Sequence, residues 1–536
     1  MTNSSRLTKN NYLVLGILGL ITLWLSLDGK HYWHEIRFMY AATQFSIDEI
    51  LSGVFNPHQV GGKIDEIGAG GFYLTKVMHL VLLKELFHCI PPHKGGFLLA
   101  SLFSVILMGL TALITYKIYN KLFNDTNKAF LSICCFLLIP TTPYLAGKIL
   151  SEVLALFFIA LCILTFSEGI VRKQSIYWFY VTISGVFLLF TGFSRLDIIL
   201  CFYGYLVASL ICAERENKGK VLLAGATVSI IFIIGELSIN YVFGKGIQYY
   251  SRYFLEFVNA GKKSNAMSIF GIMTFGGLVY FLAFHAMFTK PKKNVLLLVI
   301  WFLISAGIGI AITWNYMVEP RYLVSGILPM VGLASIGLDH ILGKISDTKL
   351  KILWVTIGII LVTLFNVVTV RLMPYELNQS SITDAVNQIY SLDKTSIILI
   401  PWAYTDFHFL HVMFPGKNII NVHSGHRGNE RNLDEVWENR LKKWYGDNYL
   451  QTPERLNGFY KKGTIYYLSW RKYPPVEEAS RIANAIGFEQ VSQYLDNLPL
   501  IDHLTESWVW HSPAYRFEWV WNCGQYEIYK VKIIKY

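Results

Sequence analysis

Eleven apolar segments, each near 20 residues long, dominate the first 370 residues of this 536-residue chain. A helix of about 20 apolar residues is long enough to cross the hydrocarbon core of a bilayer. A chain in lipid must satisfy its backbone hydrogen bonds internally, so such segments are expected to be helices. The sequence therefore predicts a polytopic α-helical membrane protein with about 11 transmembrane helices. The segments are residues 11–27, 96–116, 129–145, 150–167, 176–193, 196–213, 221–242, 268–288, 294–313, 322–342 and 351–370.

The composition supports a membrane protein and argues against a nucleic-acid-binding one. Hydrophobic residues make up 53% of the chain and charged residues 15%, whereas about a quarter of a soluble domain is charged. The net charge is +11, but many of the basic residues lie in short loops between apolar segments. Basic loops of this kind set the orientation of membrane helices. We expect no nucleic-acid partner.

The positive-inside rule gives the orientation. With the N-terminus in the cytoplasm, every inside loop is basic. The basic residues of these loops are Lys117, Lys121, Arg172, Lys173, Arg215, Lys218, Lys220, Lys290, Lys292, Lys293, Lys344, Lys349 and Lys351. The stretch 71–87 is interrupted by charged residues, so we predict an interfacial or half-inserted helix there. The first loop, 28–95, and everything after 371 then lie outside. Few cysteines and one N-x-S/T sequon, at Asn378, are predicted on that side, which favours a bacterial inner membrane.

The composition changes after residue 371 to that of a soluble domain. Amphipathic helices such as "SITDAVNQIYSL" and "LDEVWENRLKKWYG" alternate with strands such as "TSIILIP", "KNIINV" and "GTIYYLSW". Alternation of helices and strands is typical of an α/β domain. We therefore predict two domains, a transmembrane catalytic module at 1–370 that includes the loop 28–95, and an extracytoplasmic α/β domain at 371–536.

The stretch "HYWHEIRFMYAA", residues 31–42, places titratable side chains just after the first apolar segment. Ionisable residues at a membrane boundary are candidates for function. The alternative to a functional role is a hydrated helix at the membrane interface with a belt of aromatic residues. The string H-x-x-H-E matches neither zinc-protease pattern. We therefore expect no cofactor, with a divalent metal ion as the less favoured alternative.

Four motifs in residues 10–345 together resemble the GT-C glycosyltransferases, which transfer sugars from polyprenyl phosphates. This group includes protein O-mannosyltransferases and lipid A aminoarabinose transferases. The motifs are "HEIRF…GVFNP" in the first outside loop, "KILSEVLALFF", "GFSRLDIIL" and "EPRYLVSGILPM". The resemblance implies an inverting glycosyltransferase that moves a sugar from a polyprenyl- or dolichyl-phosphate donor to a hydroxyl of a lipid, glycan or protein on the outer face.

The resemblance also implies where the site lies. The family's catalytic base is the first acid of an acidic pair, and histidine, His34, takes that place here. We favour Glu35 as the base with His34 beside it; His34 itself and Asp28 are the alternatives. A phosphate leaving group needs basic donors, which arginine suits best. The residues expected to bind the phosphate or sugar are Arg37, Lys148, Glu152, Arg195, Asp197, Glu319, Arg321 and Tyr322.

Three other functions remain open at this point. A transporter is expected to show internal symmetry and broken helices at mid-membrane, and the sequence shows no repeat. A lipid-linked glycan polymerase or ligase is expected to carry a large loop between late helices, whereas the largest outside loop between helices here is the first. A binding or scaffold protein with the same fold is kept open by the histidine at position 34.

Overall fold

The computed structural model describes 15 stretches of the chain, and the statements below concern these alone. They are residues 9–27, 30–31, 33–44, 46–47, 76–171, 174–242, 265–289, 292–313, 320–372, 377–401, 404–422, 449–450, 463–470, 515–523 and 526–533. The chain forms two compact units. We call residues 1–28, 45–86 and 97–373 the helical unit, and residues 29–44, 87–96 and 374–536 the sheet unit.

Up to residue 242, the residues that the structure describes form helices and helical turns, apart from one two-residue strand. Its elements are α1 (Lys9–Ser26), β1 (Lys30–His31), α2 (Trp33–Gln44), α3 (Val77–Cys89), α4 (Gly96–Phe123), α5 (Thr126–Leu138), α6 (Thr141–Ala146), α7 (Ser151–Val171), α8 (Gln174–Ser194), α9 (Leu200–Cys212) and α10 (Arg215–Val242). Short 3₁₀ turns at Pro92–Lys94 and Leu196–Ile199 precede α4 and α9.

The helices continue to residue 372. They are α11 (Asn265–Gly276), α12 (Val279–Ala286), α13 (Lys292–Phe302), α14 (Ile308–Thr313), α15 (Ile327–Gly343) and α16 (Thr348–Leu372). A π-helical turn, Leu303–Gly307, joins α13 to α14, and a 3₁₀ turn, Pro320–Gly326, leads into α15. Seven helices in the described residues are long and apolar enough to cross a membrane, and three shorter apolar helices accompany them.

The predicted helices are present, but two of them are broken. Pro140 separates α5 from α6, and Gly277 separates α11 from α12. Gly277 has φ +54°, and a Cβ there would lie 2.8 Å from Cγ of Pro140. The hydroxyl of Thr141 also donates a hydrogen bond to the carbonyl of Phe275, over 2.9 Å. The two breaks therefore pack against each other, and glycine is needed at 277 for both its conformation and its small size.

Helix α15 is buried along most of its length. The Tyr119 hydroxyl donates to the carbonyl of Leu328. Ahead of α15, the hydroxyl of Ser325 donates to the carbonyl of Ser305 over 2.9 Å. A Cβ at Gly326 would lie 2.7 Å from the Cβ of Ala306. The 3₁₀ turn that carries residues 320–326 is therefore packed tightly against the π-helical turn.

The sheet unit contains a mixed six-stranded sheet in the order β5-β4-β3-β6-β8-β7. Pairs β3–β4, β3–β6 and β4–β5 are parallel, and β6–β8 and β7–β8 are antiparallel. The elements after residue 372 are β2 (Leu377–Asn378), α17 (Gln379–Leu392), β3 (Ile397–Pro401), α18 (Tyr404–Met413), β4 (Asn418–Val422), β5 (Tyr449–Leu450), β6 (Ile465–Trp470), β7 (Tyr515–Cys523) and β8 (Tyr526–Ile533).

The sequence pattern explains the centre of this sheet. Strand β3 reads "IILIP" and is buried, as expected for a parallel strand covered on both faces. The predicted α17 and the strands β3, β4 and β6 are confirmed. The predicted helix "LDEVWENRLKKWYG" lies outside the described residues. The sequence did not predict β7, which pairs with β8 through a register shift at Trp519 and Trp521.

Candidate functional site

The start of α7 carries a carboxylate that meets a buried arginine. Glu152 is 1% exposed and accepts a hydrogen bond from the Ser151 hydroxyl over 3.1 Å. Arg195 follows α8 in extended backbone, and its Nη1 donates to Oε1 of Glu152. Its Nε donates to Oδ1 of Asp197 over 2.7 Å. Two carboxylates from different elements therefore fix the plane of this guanidinium group.

A close approach of two backbones sets the position of Glu152. A Cβ at Gly147 would lie 1.9 Å from the carbonyl oxygen of Ser26, at the end of α1. Only glycine permits that approach, so α1 restrains the turn between α6 and α7. Glu152 then lies in the first turn of α7, where the helix dipole favours a negative charge.

Arg321 brings a second guanidinium group to the same carboxylate. Its Nη1 lies 4.0 Å from Oε1 of Glu152. Its Nη2 donates to the hydroxyl of Tyr322 over 3.1 Å. Arg321 is 6% exposed and lies in the packed 3₁₀ turn before α15. Residues from the starts of two different helices therefore meet at this site. The sequence placed both residues in the predicted site but did not show this contact.

The Tyr322 ring lies close to both arginines. The Cζ atom of Arg321 is 5.0 Å from the ring centroid, and that of Arg195 is 5.4 Å from it. Cations within about 6 Å of an aromatic face are attracted to it. The ring therefore offsets part of the repulsion between two like charges that share one buried site.

Lys76, just before α3, is a member of this cluster that the sequence analysis did not select. It is 6% exposed. Burial, together with repulsion from Arg195 and Arg321, lowers the pKa of Lys76 to about 7. Attraction to Glu152 and Asp197 opposes this effect. One sequence feature could have identified Lys76 as a candidate. It is a lysine at the start of an otherwise apolar stretch, in a loop predicted to lie on the outer face.

Five charged side chains of the helical unit interact with one another at this site. We call Lys76, Glu152, Arg195, Asp197 and Arg321 the cationic cluster. Three basic side chains face two carboxylates, and all except Asp197 are buried. A site that concentrates basic groups in this way is suited to bind an anion, and arginine suits phosphate in particular.

Lys148 lies four residues before Glu152, in the turn between α6 and α7. It is 5% exposed, and its backbone N–H donates to the carbonyl of Leu145 over 3.0 Å. A lysine that only reaches the membrane interface is expected to keep its charged amine in water, whereas Lys148 is buried. Its role in binding stays a prediction.

The proposed base lies in the sheet unit. Glu35 is in the first turn of α2 and is fully buried. His34 and Arg37 are in the same helix, and their side chains are outside the described residues, as are Asp28, Glu319 and the "GVFNP" turn. The structure thus brings together Glu152, Arg195, Asp197, Arg321 and Tyr322 from the predicted site. It places Glu35 in a different compact unit from them.

The fold is similar to those of solved membrane glycosyltransferase structures. ArnT from Cupriavidus metallidurans bound to undecaprenyl phosphate matches with a TM-score of 0.52 and 12% identity, covering 98% of each chain. The Archaeoglobus fulgidus oligosaccharyltransferase tethered with an acceptor peptide matches with a TM-score of 0.51 and 12% identity, over 91% of this chain and 72% of that one.

Comparisons of the sequence alone give no match. No protein-family profile matches the chain, and no curated protein sequence does. At 11–12% identity the structural likeness concerns the fold. The predicted architecture is confirmed: a helical membrane protein with a small C-terminal sheet domain, in which seven helices among the described residues are long enough to span a bilayer. The chain is an integral membrane protein with the GT-C glycosyltransferase fold.

Proposed function

We propose that the protein is an inverting glycosyltransferase that moves a sugar from a polyprenyl-phosphate donor to a hydroxyl acceptor. The observation that carries this proposal is the buried cationic cluster in a chain with the GT-C fold. A similar structure, ArnT, is bound to undecaprenyl phosphate, and another, the archaeal oligosaccharyltransferase AglB, is in complex with a dolichol phosphate. A lipid-linked phosphate is an anion of the kind that the cluster is suited to bind.

The cluster would act on the leaving group. When the bond between the anomeric carbon and the phosphate oxygen breaks, the departing phosphate gains negative charge. Arg321 and Lys76 would donate hydrogen bonds to that phosphate, because donors fixed before the reaction stabilise the charge that develops in the transition state. Arg195, held by Glu152 and Asp197, would keep the site electropositive.

Glu35 would take the proton of the acceptor. The acceptor oxygen attacks the anomeric carbon from the side opposite the phosphate, and its proton passes to the Glu35 carboxylate. One displacement inverts the configuration at the anomeric carbon. His34, the neighbour of Glu35, is the alternative base. A general base of this kind contributes about 10²–10⁴-fold to the rate.

The acceptor would be a lipid, glycan or protein on the outer side of a membrane. We place the N-terminus in the cytoplasm and the sheet unit outside, in a bacterial inner membrane, on the strength of the basic loops predicted to face inward. No cofactor is needed for this displacement, since the donor already carries a good leaving group.

The proposal is tested by reconstituting the purified full-length protein in liposomes with a panel of polyprenyl-phosphate sugars. Release of polyprenyl phosphate and formation of a glycosylated acceptor are measured together. Arg321→Ala is expected to abolish turnover, and its matched control, Arg516→Ala on the exposed strand β7, to retain it. Binding of polyprenyl phosphate without turnover of any donor would favour the scaffold function instead. Full turnover in Arg321→Ala would contradict the assignment of the site.

A further inference from the structure

The helix that carries Glu35 is built into the sheet unit. Residues 29–44 belong to the same compact unit as residues 374–536. Strand β1, just before α2, pairs antiparallel with β2, which lies just before α17. Lys30 is opposite Asn378, and His31 is opposite Leu377. The chain on the N-terminal side of α2 is therefore tied to the start of the C-terminal domain.

A second attachment lies along the helix itself. Helix α2 packs against α18, and the rings of Tyr40 and His411 meet edge to face with centroids 5.8 Å apart. Tyr40 is 2% exposed. Burial lowers the pKa of His411, so a neutral imidazole ring packs here at neutral pH. Edge-to-face aromatic pairs contribute beyond the area they bury and favour a defined geometry.

Tyr40 and Glu35 lie on different sides of α2. Tyr40 follows Glu35 by five positions, which is about 140° around a helix axis. The contact between Tyr40 and His411 therefore restrains the rotation of α2 about its axis. Rotation of the helix by a fraction of a turn displaces a carboxylate by ångströms, and displacements of about 1 Å are enough to slow catalysis by about 10²-fold.

We propose that the C-terminal domain acts in catalysis by holding α2, with Tyr40 and His411 as positioning residues for Glu35. This inference rests on the proposed function, because it takes Glu35 to be the base. In this proposal the sheet unit positions the catalytic base, in addition to any role in selecting the acceptor. The residues of the cationic cluster lie in the other unit, so we expect the contact to affect the rate of transfer more than the binding of the donor.

The test is a set of ring substitutions in the full-length protein in liposomes. His411→Ala removes the ring contact and is expected to lower kcat at least about tenfold, with the KM for the donor changed by less than about twofold. His411→Phe keeps a ring and is expected to restore most of kcat. Trp519→Ala, on the exposed edge of β7, is the control within the same unit and is expected to leave kcat unchanged.

A double-mutant cycle separates positioning from general loss of stability. If Tyr40 and His411 act through one contact, Tyr40→Leu combined with His411→Ala lowers kcat no further than the worse single variant. Hydrogen exchange in residues 33–44 is expected to rise in His411→Ala, with exchange in α7 unchanged. Faster exchange in both helices would indicate global destabilisation and contradict the inference.

The outcomes distinguish the two proposals. If the wild-type protein turns over no polyprenyl-phosphate sugar, the proposed function fails. If the wild-type protein is active and His411→Ala keeps its kcat, the proposed function stands and the positioning role fails. A rise in the donor KM with kcat unchanged in His411→Ala also overturns the positioning role.

Discussion

Arg195 donates a hydrogen bond from Nη1 to the carboxylate of Glu152, and both side chains are buried between the starts of two helices. Removing one partner of such a pair leaves a buried charge uncompensated, which costs about 3–5 kcal/mol. Glu152→Ala is therefore expected to lower the midpoint of thermal unfolding in detergent by several degrees and to abolish donor binding. Lys532→Ala, which breaks the exposed pair with Glu518, is the comparison and is expected to leave the midpoint unchanged. Equal midpoints for the two variants would contradict the buried pair.

Lys76 is expected to make the binding of polyprenyl phosphate depend on pH. The pKa of its amine, lowered to about 7 by burial, means that the amine is charged below pH 7 and loses its charge as the pH rises. Above pH 7, binding of a phosphate beside this amine must then be accompanied by the uptake of a proton by Lys76. The affinity of the wild-type protein for polyprenyl phosphate is therefore expected to fall above pH 7, by up to about tenfold per pH unit.

The matched variant for this prediction is Lys76→Arg, which stays charged throughout the range. The phosphate itself gains charge as the pH rises, and it does so equally for both proteins. The ratio of the two dissociation constants, measured between about pH 6 and 9 on either side of the lysine pKa, removes that contribution. A constant ratio would show that Lys76 does not titrate in this range.

Tyr322 is expected to act through its ring more than through its hydroxyl. Two guanidinium groups lie 5.0 and 5.4 Å from its centroid, and each such contact contributes about 0.5–2 kcal/mol. Tyr322→Phe loses one hydrogen bond to Arg321 and is expected to raise the donor KM about threefold or less. Tyr322→Leu is expected to raise it about tenfold or more. Steady-state kinetics on both variants decides between ring and hydroxyl, and a larger effect in Tyr322→Phe would reverse the assignment.

Gly277 provides a test of the packed helix breaks that is independent of function. Its φ is +54°, and a Cβ added at this position would lie 2.8 Å from Cγ of Pro140. Gly277→Ala is therefore expected to destabilise the protein by about 1–2 kcal/mol or more. Gly109→Ala, within α4 and with nothing within 4 Å of a Cβ, is expected to be neutral or stabilising. Thermal unfolding of both variants in the same detergent measures the difference, and equal midpoints would contradict the packing of the two breaks.

Much of the helical unit was predictable because apolar length alone specifies a membrane helix. The same physics exposed part of the site, since Glu152, Arg195 and Arg321 are conspicuous among apolar neighbours. Lys76 was missed because it precedes its helix without a recognisable motif, and only the fold shows which charges it meets. The attachment of α2 to the C-terminal domain was not predictable, because a two-residue strand pair and one ring contact between distant segments leave no periodic pattern.

The choice between Glu35 and His34 as the base is open to a direct comparison of variants. Glu35→Gln keeps the size of the side chain and removes its ability to accept a proton, so kcat is expected to fall by about 10²–10⁴-fold. Binding of polyprenyl phosphate is expected to be largely unchanged, because the cationic cluster proposed to bind the phosphate lies in the helical unit and Glu35→Gln leaves it intact. His34→Asn is the matched substitution of the neighbouring residue and is expected to cost less than Glu35→Gln. If His34→Asn lowers kcat more than Glu35→Gln does, with donor binding intact in both variants, His34 is assigned as the base.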